Sequence, residues 1–191
     1  MSALPLPPQR LLTTAEFAEL PDEAEARYEL QEGSIVMSPR PRPRHQLCLG
    51  RLVARLAEQL PEELEVLPEV DVDLELTPAS RPGFVRAPDL VVVRREVLGR
   101  VEDRGLIRAC EVVLAVEITS PGTSRMDTVV KHGEYADAGI PHYWIVTLDD
   151  SVALTRCHLG GEFGYVDAAP ARGRISFDEP FPVVLDLAAL L

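Results

Sequence analysis

The segment between residues 111 and 148 constrains the fold more than any other part of the chain. Residues 112–118 are apolar and rich in β-branched side chains, and this run is too short to span a membrane, so it predicts a buried strand. A break at Ser-Pro-Gly 120–122 leads into a helix that ends at Gly139. A second apolar run, residues 142–148, predicts another strand. The segment therefore predicts a strand, helix and strand in succession, as in α/β proteins.

The predicted helix begins at Ser124, with Asp127 as its capping-box partner, and carries Lys131. Lys131 is the one lysine of the chain, against eighteen arginines. Because this chain uses arginine wherever plain positive charge suffices, a single lysine suggests a role for a compact cation whose pKa can shift. The alternative is an ordinary surface pair with Asp127, four residues earlier on the helix. We favour the functional interpretation, since perturbed groups cluster at sites.

Composition predicts one cytoplasmic domain. The length of 191 residues suits a single domain over 1–191, with a core at about 13–158 and a C-terminal hairpin and tail at 149–191. No apolar run reaches transmembrane length, and the N-terminus lacks the features of a secretory signal. The three cysteines, at 48, 110 and 157, are too few and too irregular for a disulfide framework.

The net charge of −12 argues against nonspecific affinity for nucleic acid or for anionic membranes. Any nucleic-acid binding must therefore use local arginines. The extended segment Pro-Arg-Pro-Arg-Pro-Arg at residues 39–44 presents three of them. This segment either contacts phosphates or is a solvated connector, and the sequence leaves both open.

Local patterns predict the remaining elements. In chain order these are a short helix capped by Thr13 and Glu16, two strands within residues 27–37 around a Glu32-Gly33 turn, a helix at 44–60, an alternating strand at 70–76, an apolar strand at 90–93, a polar connection with a short helix at 94–108, a hairpin strand at 151–159 and a last strand and short helix near the C-terminus.

Two groups resemble metal sites but have simpler explanations. Asp71, Asp73 and Glu75 alternate along one predicted strand, and strict alternation accounts for them as a solvated face. His45 and Cys48 have a spacing found in zinc sites, but no second pair completes the set. We therefore predict a metal at neither.

Asp89 and Glu117 are the candidates for metal ligands. Asp89 opens the strand at 90–93, where it is either a turn former or a ligand at a sheet end. Glu117 lies late in a buried strand, where a carboxylate is costly unless it is paired. Together with the carbonyl of Ile118, these carboxylates would satisfy magnesium, which keeps several of its waters. Lys131 would orient or deprotonate a bound water and offset charge in the transition state.

Several motifs occur together in this chain: Pro88-Asp89, Glu117 to Pro121, Asp127, Lys131 and Tyr135, residues 139–146, and the Arg27 to Gly33 run with His45. In this combination the chain resembles the restriction endonuclease family called the Uma type, of the PD-(D/E)XK nuclease superfamily. The resemblance covers roughly residues 13–158.

The resemblance implies a restriction-endonuclease-like core, in which a mixed β-sheet is flanked by helices, and cleavage of DNA that depends on Mg²⁺, with Mn²⁺ as a substitute. It adds Glu29 as a lesser metal or water contact, and His45 and Tyr135 as groups behind the ligands. Packing or hydrogen bonding is the alternative role for His45 and Tyr135, and we favour it for Tyr135. The common superfamily pattern has a lysine two residues after the acid, whereas this chain has Thr119 there. Families of the Uma type place the lysine on the following helix, as Lys131 would be.

Other functions remain open at this stage. A non-catalytic binding or assembly module on the same scaffold would suit the acidic composition and Thr119. A hydrolase of some other phosphoester would suit the net charge better than long duplex DNA does. We also expect a homodimer, because cleavage of two strands is often performed by two copies of one site.

Overall fold

The structure is a computed structural model, and it describes residues 10–20, 27–38, 41–101, 105–119, 126–160 and 164–191. The helices are α1 (Thr14–Ala18), α2 (Pro43–Ala57) and α3 (His132–Asp137), with a π-helical segment (Met126–Lys131) before α3 and 3-10 helices at Arg95–Gly99, Ala109–Glu111 and Leu187–Leu190. The strands are β1 (Arg27–Gln31), β2 (Ser34–Ser38), β3 (Leu64–Pro68), β4 (Val72–Asp73), β5 (Val85–Arg86), β6 (Leu90–Arg94), β7 (Ile107–Arg108), β8 (Val112–Thr119), β9 (His142–Leu148), β10 (Val152–Leu159), β11 (Tyr165–Asp167), β12 (Ala171–Arg172), β13 (Arg174–Phe177) and β14 (Val183–Asp186). None of these helices is long and apolar enough to cross a membrane.

The larger sheet is mixed and has β8 near its centre. Its strand order is β11-β10-β9-β8-β6-β3, with β12 also paired to β10. Strands β8 and β9 are parallel, and the other pairs are antiparallel. The strands predicted at 112–118 and 142–148 are thus confirmed as neighbours, and so is the hairpin strand after them.

The two faces of β8 pack against different layers, because successive side chains of a strand point to opposite faces. Leu114, Val116 and Ile118 join a core with the apolar face of α2 and with the C-terminal β14. Ala115 joins the opposite core, which includes Tyr135 of α3. Val112 joins this second core as well, because a β-bulge between β6 and β8 interrupts the alternation before Leu114. Glu117 shares that second face, so its carboxylate points toward α3 and the elements beside it.

Helix α2 follows the predicted 44–60 pattern but ends at Ala57. Its apolar side chains recur at helical spacing, so one stripe is buried while the other faces stay in water. The buried members of this stripe are Cys48, Leu49, Leu52 and Leu56. This packing places the start of the helix, with His45, beside the end of the sheet that carries Asp89.

A smaller sheet, ordered β2-β1-β5-β4-β7, contains the predicted hairpin of β1 and β2. Glu32 and Gly33 turn the chain with φ of 49° and 77°. A Cβ at Gly33 would lie 2.7 Å from Cβ of Pro82, so the close approach of the two segments requires glycine. The hairpin brings β1, and with it Glu29, against β5.

Some predicted elements are wrong in extent. The alternating run at 70–76 forms only the short β4, because Glu75 has a φ of 52° and its amide donates to Asp73 Oδ1 at 3.0 Å, which makes a turn. The predictions overlooked the strands β3, β5, β7, β11 and β12. Ser124 and the side chain of Asp127 lie outside the described residues, so the predicted cap there stays a prediction. Gly139 does end the helix, with a φ of 76°.

Candidate active site

Asp89 and Glu117 lie at the same end of the β6–β8 pair in the large sheet. Val91 of β6 pairs with Ala115 of β8, and Leu90 pairs with Val116. Extended by one residue, this register places Asp89, immediately before β6, across from Glu117 of β8. Both carboxylates are largely buried, with 8% and 3% of their residue surfaces exposed.

Asp89 links β8 to the start of α2. Its Oδ2 accepts a hydrogen bond from the Ile118 amide at 2.6 Å and lies 3.0 Å from His45 Nε2. Burial lowers the pKa of His45, but its bond to Asp89 and the charges of Asp89 and Glu117 raise that pKa above the ordinary value. Arg27 Nη1 lies 3.8 Å from Asp89 Oδ1. Asp89 is therefore held between two basic side chains, His45 and Arg27.

Lys131 lies between two buried carboxylates. Its Nζ is 2.8 Å from Glu117 Oε1 and 2.9 Å from Glu29 Oε1, and only 5% of the residue is exposed. The interpretation of Lys131 as part of an exposed surface pair is therefore wrong. Tyr135 also donates to Glu117 Oε1, at 2.9 Å, and burial together with the charge of Glu117 raises the pKa of this phenol well above its ordinary value. Tyr135 thus remains a hydrogen-bond donor.

Arg86 holds the other side of Glu29. Its Nη1 donates to Glu29 Oε2 at 2.9 Å, while its Nε and Nη2 bind both oxygens of Glu134 at 2.6 and 2.7 Å. Burial raises the pKa of Glu29, yet Lys131 and Arg86 outweigh burial and lower it overall. Arg86 is fully buried. Its planar fork suits this double pairing in a way that lysine does not.

The site offers carboxylate oxygens to a divalent cation. Glu29, Glu117 and Glu134 pair with two buried cations, Lys131 and Arg86. The Asp89 carboxylate lies instead between Arg27 and His45. Hard carboxylate oxygens are the side-chain ligands that Mg²⁺ prefers, so the residues present fit this ion.

The comparisons identify the family. The profile of the Uma2 family, described as "Putative restriction endonuclease", matches residues 14–188. The chain belongs to the Uma2 family. The match extends about thirty residues beyond the C-terminal limit of 158 given by the sequence motifs.

A solved structure supports the fold of this Uma2 protein. It is the crystal structure of a protein described as a putative nuclease belonging to DUF820, from Anabaena variabilis. The two chains share 21% identity over 82% of this chain and 85% of the other, with a TM-score of 0.61. The restriction-endonuclease-like α/β core predicted from the sequence is therefore confirmed. No curated protein matches the chain.

The departure at Thr119 has a structural explanation in this Uma2 protein. Thr119 is buried at the end of β8, and its hydroxyl lies 3.5 Å from that of Thr147 on β9. It shares the face of Glu117, where the common superfamily pattern has its lysine. In this protein the ammonium group beside Glu117 belongs instead to Lys131, the last residue of the π-helical segment.

Sequence reasoning missed Arg86 and Glu134. Arg86 was one arginine among eighteen, and nothing in its neighbours distinguished it. A signal did exist for Glu134, which lies three residues after Lys131 and so shares a helical face with it. The predicted roles of Glu29, Asp89, Glu117, Ile118 and Lys131 remain predictions, although the structure brings all five to one end of β8.

Replacing Arg86 by methionine is expected to lower the free energy of unfolding by about 3–5 kcal/mol, because it leaves the buried Glu29 and Glu134 without their shared cation. Urea denaturation measures this change. Arg108→Met is the matched control, since Arg108 pairs with Glu111 at an exposed position. We expect a far smaller change there. Equal losses in both variants would contradict a special contribution of the buried network.

Proposed function

We propose that this Uma2 protein is a metal-dependent endonuclease that hydrolyses phosphodiester bonds of DNA. One observation carries the proposal: the single lysine of the chain is buried, with its ammonium group 2.8 Å from Glu117 and 2.9 Å from Glu29. A buried cation next to paired carboxylates is typical of a functional site. The family supports the same activity class, because its description is that of a restriction endonuclease.

In this proposal Asp89, Glu117 and the carbonyl of Ile118 hold Mg²⁺, or Mn²⁺ in its place. The Ile118 amide donates to Asp89 Oδ2. In an extended residue the N–H and C=O groups point to the same side of the strand, so the Ile118 carbonyl is directed toward the side of Asp89. When bound, the ion would polarise a phosphoryl oxygen and lower the pKa of a water.

Lys131 acts as an electrostatic group rather than as a base. Its Nζ forms ion pairs with two carboxylates, at 2.8 Å from Glu117 Oε1 and 2.9 Å from Glu29 Oε1. A fixed cation beside the ligands offsets negative charge that develops on the phosphoryl oxygens in the transition state. Glu29 positions this cation and is in turn held by Arg86. Tyr135 restrains the Glu117 carboxylate through its hydrogen bond to Oε1.

His45 and Arg27 position Asp89 in this scheme. His45 Nε2 is bonded to Asp89 Oδ2, and Arg27 donates to the carbonyl of Pro88 at 2.8 Å, immediately before Asp89. Within the described parts of the chain, the buried Nδ1 of His45 has no hydrogen-bond partner.

The start of α2 supplies local positive charge for a polynucleotide. Arg42 and Arg44 are exposed there, close in sequence to His45, and Arg27 Nη1 lies 3.8 Å from Asp89 Oδ1. Local arginines are required because the net charge of −12 repels a phosphate backbone elsewhere on the protein. Action on both strands of a duplex would be served by a homodimer, which we include in the proposal together with a cytoplasmic location.

An assay of the purified protein tests the proposal. Supercoiled plasmid, single-stranded DNA, RNA and a small phosphodiester are each incubated with Mg²⁺, with Mn²⁺ or with EDTA. We expect nicked or linear plasmid with either ion and intact plasmid in EDTA. Cleavage of the small phosphodiester alone would favour a different phosphoesterase. Intact substrates under all conditions would favour a non-catalytic binding or assembly module on this scaffold.

A further inference from the structure

Three potential metal ligands meet outside the carboxylate site. They are His132, the first residue of α3, Cys157 on β10 and Asp167 on β11. Cys157 and Asp167 are directly opposed partners of an antiparallel pair, so their side chains emerge on the same face. One nitrogen, one sulfur and one oxygen atom of these three residues lie within 4.8 Å of one another.

The histidine ring is already oriented toward the other two groups. His132 Nε2 lies 2.8 Å from Asp167 Oδ1. Tyr143 and Tyr165 contact the ring edge to face, with centroids 6.2 and 5.2 Å away, and Tyr165 is fixed by a 2.7 Å hydrogen bond to the carbonyl of Ile140. Aromatic contacts of this kind hold a ligand in one rotamer, which is what a metal site needs.

We propose that His132, Cys157 and Asp167 form a site for a transition metal of the zinc type. Thiolate, imidazole and carboxylate are the three side-chain ligands of Zn²⁺, which binds them at roughly 2.0–2.3 Å in a tetrahedron. Such a tetrahedron separates its ligand atoms by roughly 3.3–3.8 Å. The site reaches this geometry when the sulfur approaches and the His132–Asp167 hydrogen bond opens by well under one ångström from 2.8 Å.

The fourth coordination position faces solvent. Cys157 is buried, whereas the side chains of His132 and Asp167 are 23% and 51% exposed. Burial and the neighbouring Asp167 raise the pKa of the Cys157 thiol, so it carries its proton when no metal is bound. Metal binding forms the metal–sulfur bond and releases that proton to solvent.

This site differs in chemistry from the one at Asp89 and Glu117. Hard oxygen ligands there select Mg²⁺ or Mn²⁺, whereas a thiolate and an imidazole select softer ions. The inference does not rest on the proposed nuclease function, because none of its three residues takes part in that mechanism. His132 nevertheless follows Lys131 directly, so a metal here would restrain the start of α3 next to the buried ammonium.

Cobalt reports on the site directly, because a thiolate bound to Co²⁺ gives a sulfur-to-metal charge-transfer absorption band. The reduced, metal-free protein is titrated with Co²⁺ and then with Zn²⁺. We expect the band to saturate at one equivalent and to disappear when Zn²⁺ displaces Co²⁺. Cys110→Ser is the matched control, since Cys110 is the exposed thiol of the chain and would be the first to bind metal adventitiously. The band should persist in this variant.

Three further variants test each ligand. Cys157→Ser should remove the band, and His132→Ala or Asp167→Asn should weaken Co²⁺ binding at least tenfold. Because Cys157 is buried, the two latter variants, at partly exposed positions, keep the test valid if Cys157→Ser fails to fold. Zn²⁺ should raise the melting temperature of the wild type more than that of His132→Ala. A band that is absent from the wild type, survives Cys157→Ser or is lost in Cys110→Ser would overturn the proposal.

Discussion

Replacing Lys131 by methionine is expected to slow metal-dependent DNA cleavage by about 10²–10³-fold, the usual cost of removing one group that stabilises transition-state charge. Methionine keeps much of the volume of the side chain but removes the ammonium that lies 2.8 Å from Glu117. Rates of plasmid nicking at saturating Mg²⁺ measure the effect. Metal affinity should change little or increase, because the cation that competes with a divalent ion is gone.

A second variant separates catalysis from stability. Lys131→Met alone removes a cation that is paired with two buried carboxylates, Glu117 and Glu29, which destabilises the fold. Lys131→Met combined with Glu29→Gln removes one negative charge as well, and should recover part of the lost free energy of unfolding. We expect the double variant to remain inactive. Wild-type rates in a folded double variant would show that the lysine has no part in cleavage.

Replacing either predicted metal ligand is expected to have the other large effect. Asp89→Asn and Glu117→Gln should each weaken Mg²⁺ or Mn²⁺ binding, measured by titration calorimetry. Each should also slow cleavage at least about a hundredfold, because stabilisation by a bound metal is worth several kcal/mol. The two substitutions disturb different neighbours. Glu117→Gln affects the ion pair with Lys131, whereas Asp89→Asn affects the bonds to His45 and to the Ile118 amide.

Glu75→Gln is the control for these two changes. Like them it removes one negative charge, but from an exposed residue. Glu75 belongs to the acidic group Asp71, Asp73 and Glu75, at which we predict no metal. We expect unchanged metal affinity and unchanged cleavage. If all three variants lost activity alike, the effect would come from net charge rather than from coordination. Undiminished metal binding by both Asp89→Asn and Glu117→Gln would exclude this pair as ligands.

The elements that the sequence predicted well are those set by local periodicity. The apolar run of β8 and the helical stripe of α2 determine which face of each element is buried, and the structure follows both. The strand predicted at 70–76 failed because alternation says nothing about a backbone turn. Glu75 adopts a left-handed conformation that its sequence neighbours do not indicate.

The residues of the candidate site also differ in whether the sequence alone could predict them. Lys131 could be singled out because it is the one lysine in a chain rich in arginine, and Asp89 and Glu117 because they adjoin buried strands. Their partners depend on distant parts of the chain. Arg86 meets Glu134 across 48 residues, and the cluster of His132, Cys157 and Asp167 depends on the register of β10 with β11. Neither follows from spacing in the sequence.

The short bond between the Ile118 amide and the Asp89 carboxylate has a consequence for ion choice. It ties one acidic side chain to the backbone next to the other, so the gap between the two is set by the sheet itself. An ion that enters cannot draw the pair together freely to suit its own radius. Discrimination between small and large divalent ions, such as Mg²⁺ over Ca²⁺, would thus be built into strand pairing rather than into the loops around the cleft.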